Sequence, residues 1–200
     1  MSGTQVSNAI TLTGSSEMVA EFFEFSVNSI LYQRGVYPPE KFTRVQKYGM
    51  TVLVTDDKDL RTYLEGITKQ LKELLVRKLI EKLVLVIANS ELKTPIERWE
   101  FTIHSDPDVV DDSVKKTKST DKIQAEIASI IRQIVACVTF LPQLGGSLAF
   151  DLLVYTKKDA KVNDSLWADS QPMLIEGGQT VKIKSFSTSI HSVDAAVVYL

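Results

Sequence analysis

The chain is poor in the residues that most often build metal sites and covalent cross-links. It contains one cysteine, Cys137, and two histidines, His104 and His191, in 200 residues. A single cysteine excludes a disulfide within the chain and a cysteine zinc site, and its place beside an apolar helix stripe favours a buried thiol. The histidines are far apart and have no acidic partners at paired spacing, so we expect both to be surface residues at strand ends. The sequence therefore predicts no metal and no cofactor.

Neither sign of charge dominates the chain, and it has no long hydrophobic run. Lysine and arginine together number 23 against 25 acidic residues, for a net charge of −2. A dedicated nucleic-acid binder is expected to be basic, so no nucleic-acid partner is predicted. The apolar runs fall short of the roughly 18 residues of a membrane span, and the opening residues lack the pattern of a signal peptide, so no membrane partner is predicted. This composition favours an intracellular protein in a reducing compartment.

Motifs of catalysis are also missing. Gly145-Gly146-Ser147 and Gly177-Gly178 are typical of turns and have the spacing of neither a phosphate-binding loop nor a nucleophile elbow. The acidic residues of 106–112 lack the ligand alternation of a calcium loop. A small hydrolase that uses Ser147 and one of the histidines is the weakest alternative, because no nucleophile motif supports it. We therefore expect that the protein is not an enzyme.

The chain does contain a series of periodic segments that predicts an α+β domain. Apolar residues at three- and four-residue spacing predict three helices. The first begins near Ser15 or Ser16, the second follows Asp56-Asp57, and Thr120 caps the third. Strand-like runs, of which 82–89 is apolar enough to be covered on both faces, occupy residues 50–55, 82–89, 97–103, 148–156, 180–193 and 195–200. Residues 105–119 predict a polar loop. This order predicts one domain in which three helices pack on one mostly antiparallel sheet.

The third predicted helix has one apolar face and one face of small residues. Isoleucine and valine recur at helical spacing on the first face, at Ile127, Ile130, Ile131, Ile134 and Val138. Ser129 and Ala136 lie on the other face beside Arg132, with Gln133 next in the sequence. Alanine and arginine are ordinary on a surface helix, but a flat face with one arginine also suits a protein interface. The helix pattern alone favours the ordinary surface.

The last forty or so residues differ in organisation from the rest of the chain. A polar stretch without period, which includes Trp167, leads into two strand-like runs that have no helix to cover them. Long irregular segments in a compact domain are usually functional or mobile, and strands beside them lie at a sheet edge, where another strand can pair. A plain terminal hairpin that completes the sheet is the simpler interpretation, and the pattern alone favours it.

Several long stretches resemble the HORMA domain family. They are AEFFEFSVNSILYQRGVYPPEKFTRVQKYG (20–49), ERWEF (97–101), IRQIVACVTFLPQL (131–144), FDLLVYT (150–156) and SFSTSIHSV (185–193). The resemblance covers essentially the whole chain and is closest to the spindle-checkpoint members. The accessory HORMA subunit of a translesion DNA polymerase is the alternative within the family, and SILYQRGVYP and IRQI match it less well. Leu74 and Gly145-Gly146 depart from the best-known checkpoint members, which carry tryptophan and a less flexible segment there.

The resemblance implies a single HORMA domain over residues 1–200, with a core at about 10–157 and a mobile C-terminal safety belt at about 158–200. In the open state the belt strands lie along one sheet edge and block it. In the closed state they cross to the opposite edge, and a partner peptide becomes an added strand under the belt. The implied edge strand carries Phe150, Asp151, Leu152, Leu153, Val154 and Tyr155. The implied belt contacts are Trp167, Phe186, His191 and Tyr199.

The resemblance also implies partners and a cellular role. An open molecule would dock on a closed one, and a HORMA-like adaptor would compete, through the small face of the third helix at Ser129, Arg132, Gln133, Ala136 and Phe140. The implied protein is a spindle assembly checkpoint adaptor that is recruited by mitotic arrest deficient one. It would hold the activator of the anaphase-promoting complex inactive, with other checkpoint complex proteins, until kinetochores attach. A AAA+ remodelling ATPase would reopen it. The implied location is nucleus and cytoplasm, and the kinetochore in mitosis.

Overall fold

The structure is a computed structural model that describes residues 9–158, 160–162 and 167–200. It contains three α-helices, which are α1 (Leu12–Gln33), α2 (Lys58–Val76) and α3 (Thr120–Cys137), and a short 3₁₀ turn at Pro39–Lys41. The strands are β1 (Ala9–Ile10), β2 (Phe42–Lys47), β3 (Met50–Thr55), β4 (Ile80–Asn89), β5 (Pro95–Ser105), β6 (Lys116–Thr117), β7 (Leu148–Thr156), β8 (Gln179–Ser187) and β9 (His191–Tyr199). No helix in these ranges combines the length and the apolar character that crossing a membrane requires.

Five of the strands form the main sheet, in the order β7-β4-β5-β9-β8, and each neighbouring pair is antiparallel. The hairpin β2-β3 and the short pair β1-β6 lie outside this sheet. The predicted α+β fold, with three helices on a mostly antiparallel sheet, is therefore confirmed. The C-terminal pair β8-β9 is part of the sheet and lies at the edge opposite to β7.

Each helix begins at a side chain that accepts a hydrogen bond from a backbone N–H of its first turn. Thr11 caps α1, Asp57 caps α2 and Ser119 caps α3, since short oxygen-bearing side chains satisfy N–H groups that have no partner within the helix. The predicted start of the first helix at Ser15 or Ser16 was therefore one turn late, and the cap of the third helix is Ser119 instead of Thr120.

The core lies between the three helices and one face of the sheet. Alternate residues of β4 and β5 turn toward the helices and are almost fully buried, as strand geometry requires; they are Leu83, Leu85, Ile87, Trp99, Phe101 and Ile103. The ring of Phe22 in α1 packs edge-on against Phe101 at 5.6 Å. Val84 and Val86 on the other face of β4 are also buried, which confirms that this strand is covered on both sides.

Three strands, the two-residue β1 and also β2 and β6, were not expected from the sequence. β2 pairs along its length with β3 through a turn at Tyr48-Gly49, where both residues have positive φ. β2 carries charged residues and buries little surface, so its sequence gives a weak strand signal. β6 lies inside the predicted polar loop, and the alternating run 180–193 is interrupted by the turn between Ser187 and His191.

Candidate functional site

β7 is an edge strand that contacts one neighbour. Along the described residues its backbone pairs with β4 only, from Leu148 opposite Asn89 to Thr156 opposite Ile80. All six residues expected on the edge lie in β7. Phe150, Leu152 and Val154 pack against the core, and Asp151, Leu153 and Tyr155 therefore turn to the other face. The second side of this nine-residue strand thus offers backbone donors and acceptors to an added strand.

The C-terminal hairpin, β8-β9, lies at the far side of the sheet. β9 pairs with β5 over nine residues, from Glu97 opposite Tyr199 to Ser105 opposite His191. We call the segment between β7 and β8 the crossing segment; its described residues are 157, 158, 160–162 and 167–178. This segment passes from one sheet edge to the other over the face that the helices leave free.

A groove of about 660 Å³ separates β7 from the crossing segment. One wall is residues 152–156 of β7, and the other is Val162 with residues 167–172. Trp167 is half-buried and packs against the core. Its indole Nε1 is buried and has no hydrogen-bond partner among the described residues. The groove therefore combines an open backbone edge with a wall of mixed polarity, in which Val162 and Trp167 supply apolar surface.

A buried arginine joins β7 to the crossing segment. Arg98 in β5 donates from Nη2 to the Tyr155 hydroxyl at 2.9 Å and from Nη1 to the Pro172 carbonyl. Its Nε donates to Glu100 at 2.6 Å, and Lys82 donates to the same carboxylate at 2.7 Å. Burial alone would raise the pKa of Glu100, but the hydrogen bonds from Lys82 and Arg98 outweigh burial and hold that pKa below its ordinary value.

Arg98 and Glu100 alternate with the core residues Trp99 and Phe101 along β5 and therefore lie on its other face, and the sequence predicted no role for them. The available signal was the charge itself, since charged residues on a central strand need partners on whatever covers that face. No local pattern pointed to Pro172, because its carbonyl meets Arg98 only in the folded chain.

Two buried contacts hold the C-terminal hairpin against the core. Phe186 is buried and packs against Phe22, with ring centroids 4.8 Å apart. His191 Nδ1 lies 2.7 Å from Ser15 Oγ, which lies 2.5 Å from Thr188 Oγ1. This polar cluster links the turn of the hairpin to the first turn of α1.

The prediction that both histidines are surface residues was half wrong. His104 is exposed, with Nε2 3.3 Å from an Asp194 carboxylate oxygen, whereas His191 is fully buried. Burial lowers the pKa of His191 to about 4, so this side chain is neutral at physiological pH. The fourth expected belt residue, Tyr199, ends β9 half-buried and donates from its hydroxyl to Gln179 at 3.2 Å.

The small face of α3 divides into two parts. Arg132 and Ala136 are exposed, and so is Phe140, which follows the end of the helix. Arg132 borders a groove of about 240 Å³ between α1, β3 and α3. Gln133 and Ser129 contact β8 instead: the Gln133 side-chain oxygen accepts from the Lys184 N–H at 2.7 Å, and Ser129 Oγ accepts from Lys184 Nζ at 3.1 Å. These bonds fall at the register shift between Lys182 and Ser185 in the β8-β9 pair.

Comparisons with known proteins agree on the family. The family model described as HORMA domain matches residues 15–191. The human protein "Mitotic spindle assembly checkpoint protein MAD2A" is 53% identical over 190 residues, covering 95% of this chain and 92% of that protein. The fission yeast protein "Mitotic spindle checkpoint component mad2" is 42% identical over 201 residues, covering 100% and 98%. A chain in "Crystal Structure of Mitotic Checkpoint Complex" superimposes with a TM-score of 0.84 at 42% identity, covering 94% of this chain and 99% of that one.

Proposed function

This chain belongs to the HORMA domain family, and we propose on that premise that it is a non-catalytic adaptor of the mitotic spindle assembly checkpoint. Relatives that are at least 42% identical to this chain over nearly its whole length are named as checkpoint proteins. The structural neighbour belongs to a mitotic checkpoint complex. Neither the translesion polymerase subunit nor the hydrolase is favoured by these relatives.

The adaptor binds its partner by strand addition. A partner peptide lies along the free edge of β7, inside the groove between that strand and residues 167–172, and becomes the sixth strand of the main sheet. Each backbone hydrogen bond contributes about 1 kcal/mol net, so several together give useful affinity with little demand on the peptide sequence. The crossing segment adds buried surface on the side of the peptide that would otherwise face solvent.

The crossing segment and the C-terminal hairpin together act as the safety belt. With the hairpin on β5, the edge of β7 is open to a ligand; with the hairpin on β7, that edge would be blocked. Leaving β5 breaks the pairing of β9 along nine residues and exposes Phe186 and His191. Conversion between the two states is therefore slow unless a remodelling enzyme assists it.

The checkpoint role follows from this switch. Mitotic arrest deficient one recruits the adaptor to unattached kinetochores in mitosis, and the closed adaptor holds the activator of the anaphase-promoting complex inactive. A second, open copy and a HORMA-like adaptor dock on α3 near Arg132, Ala136 and Phe140, and a AAA+ ATPase reopens the belt. Outside mitosis the protein is in nucleus and cytoplasm.

One observation carries this proposal: a free edge strand lies beneath a segment that wraps over it. Overlapping synthetic peptides that span the activator of the anaphase-promoting complex test it by fluorescence anisotropy. We expect one segment to bind the intact chain and to protect the amides of β7 from hydrogen exchange. We expect no capture after removal of residues 190–200, because β9 then no longer holds the belt on β5. Equal affinity for the shortened chain would contradict the belt mechanism.

A further inference from the structure

The crossing segment is attached to the core at two places. Within the part of the chain that the structure describes, its hydrogen bonds to the core lie near its start and at Pro172. Near the start, the Lys157 N–H donates to the Leu79 carbonyl at 2.9 Å, and Arg77 donates to the Lys161 carbonyl at 3.3 Å. The attachment at Pro172 is therefore the one that lies at the end of the groove wall and before β8.

Arg98 is suited to hold this second attachment. Its side chain is 3% exposed, and its three kinds of nitrogen serve three different acceptors: Glu100, the Tyr155 hydroxyl and the Pro172 carbonyl. Glu100 is itself fixed by Lys82, and the Tyr155 ring lies 5.5 Å from the guanidinium carbon. These contacts hold the planar guanidinium of Arg98 in its orientation before the crossing segment packs on it. Lysine carries its charge on one ammonium group and cannot make the same three directed hydrogen bonds.

The guanidinium joins three parts of the proposed binding mechanism. It belongs to the central strand β5, reaches over β4 to Tyr155 on the ligand-binding strand, and holds the carbonyl of Pro172 on the groove wall. When that bond is absent, the Pro172 carbonyl keeps only the longer hydrogen bond from the Tyr155 hydroxyl, at 3.4 Å, so residues 167–172 lift more easily while β9 stays paired with β5. A bound strand can then leave sideways, without the slow movement of the whole hairpin.

We propose that Arg98 is the latch of the belt: through Pro172 it sets how slowly a captured peptide leaves the groove. This inference rests on the proposed function, because it assigns a positioning residue to the proposed peptide site. Arg98 sets the rate of release because it holds the crossing segment in place, whereas the hydrogen bonds that bind the peptide come from β7.

The test compares rates of release. Wild-type protein and the variants Arg98→Lys and Tyr155→Phe are saturated with the tightest-binding activator peptide, labelled with fluorescein, and then mixed with excess unlabelled peptide. Loss of a charge-assisted hydrogen bond predicts that Arg98→Lys releases the peptide about 10-fold faster, with the association rate changed by less than about 3-fold. Tyr155→Phe keeps every charge and loses one hydroxyl, and we expect release about 3-fold faster.

Ile30→Val is the control for general destabilisation. Ile30 is fully buried in α1, on the helix side of the sheet, and does not line the groove. We expect this variant to unfold more easily than wild type and yet release the peptide at the wild-type rate. Equal acceleration in Ile30→Val and Arg98→Lys, or an unchanged rate in Arg98→Lys, would overturn the latch.

A measurement without ligand separates the latch from the proposed function. Hydrogen exchange of residues 167–172 in the free protein should be faster in Arg98→Lys than in wild type, while exchange along β9 stays the same. Faster exchange there supports the latch even if no activator peptide binds, and in that case it is the proposed partner that fails. Unchanged exchange at residues 167–172 counts against the latch whatever the peptide does.

Discussion

At the scale of single residues, burial of His191 in the C-terminal hairpin determines which protonation state of its ring the fold favours. His191 is fully buried and reaches Ser15 through Nδ1, while its Nε2 has no hydrogen-bond partner among the described residues. A buried imidazole resists protonation, because its charged form loses the solvation that water supplies, and the charge of Lys78 opposes protonation further. The packing of the hairpin on β5 therefore favours the neutral ring.

Acidification should therefore weaken the fold through His191. Its pKa falls from 6.5 in the unfolded chain to about 4 in the folded one, so the unfolded state binds more protons between these values. The contribution of this residue is fully present above about pH 6.5, and up to about 3 kcal/mol of unfolding free energy is lost as the pH falls toward 4. Urea unfolding at about pH 7 and about pH 5 measures the slope.

Substitution at the two histidines separates this effect from other acid-sensitive groups. Expected is a flatter pH dependence in His191→Gln and a wild-type slope in His104→Gln, because His104 is exposed. If the pH dependence were flatter in His104→Gln and unchanged in His191→Gln, the loss of stability in acid would come from His104, and the prediction for His191 would be wrong.

Arg132 is the exposed residue with the strongest case for an interface role. Reversing its charge with Arg132→Glu should abolish self-association and leave peptide binding unchanged, since Arg132 lies on α3 away from the β7 groove. Sedimentation velocity of the mixed open and closed protein measures the first effect, and peptide anisotropy measures the second. Lys122→Glu reverses an exposed charge in the first turn of the same helix, and this control should still dimerise.

At the scale of elements, β8 is held by α3 as well as by its partner strand. The Lys184 N–H, at the register shift of β8, donates to Gln133 of α3, and the Ser187 N–H donates to Glu126. Phe186, between these two residues, inserts its ring against Phe22. An edge strand that is bound in this way leaves fewer free backbone groups for unwanted pairing. The face of α3 beside Arg132 is therefore partly occupied whenever the hairpin lies on β5.

Removing the Phe186 ring should loosen the whole hairpin. Phe186→Ala leaves a cavity against Phe22, and such truncations of buried aromatic residues cost about 3–5 kcal/mol. We expect faster hydrogen exchange in β8 and β9 and a lower urea midpoint, with smaller changes in β4. Phe140→Ala removes the same ring from an exposed position, so its midpoint should stay close to wild type. Equal loss in both variants would mean that the contact with Phe22 does not hold the hairpin.

At the scale of the whole molecule, the two edges of the main sheet have different tasks. The C-terminal hairpin, β8-β9, forms one edge, and β7 forms the other, which lies unpaired beside a groove of about 660 Å³. Three strands, β4, β5 and β9, separate the two edges, and the crossing segment is the part of the chain that passes from one edge toward the other and contacts the groove, so we expect it to carry the effect of a ligand at β7.

Peptide binding should therefore change the spectrum of the protein in a defined pattern. Amide shifts in two-dimensional NMR are expected to be large for β7 and for residues 167–172 and small for α1, since the helices pack on the other face of the sheet. Shifts of similar size throughout α1 would indicate a general rearrangement instead. If the shifts were confined to β7, the groove would be fixed and the belt would have no part in binding.

The sequence alone determined the local elements and the family. Helical spacing identified all three helices, and the apolar run of β4 showed that it is covered on both faces, because these periods depend on neighbours along the chain. β2 was missed, since a hairpin outside the core buries too little apolar surface to leave a pattern. The long matches to HORMA proteins identified β7 and the C-terminal segment as the region of interest.

Only the tertiary structure decided which edge the hairpin occupies. Both edges of a sheet offer the same backbone groups, so no local pattern assigns β9 to β5 in preference to β7. The burial of His191, the division of the α3 face and the bond from Arg98 to Pro172 all follow from that choice. Each joins residues that are distant in the chain, and their meeting depends on strand pairing over long range, which periodicity does not encode.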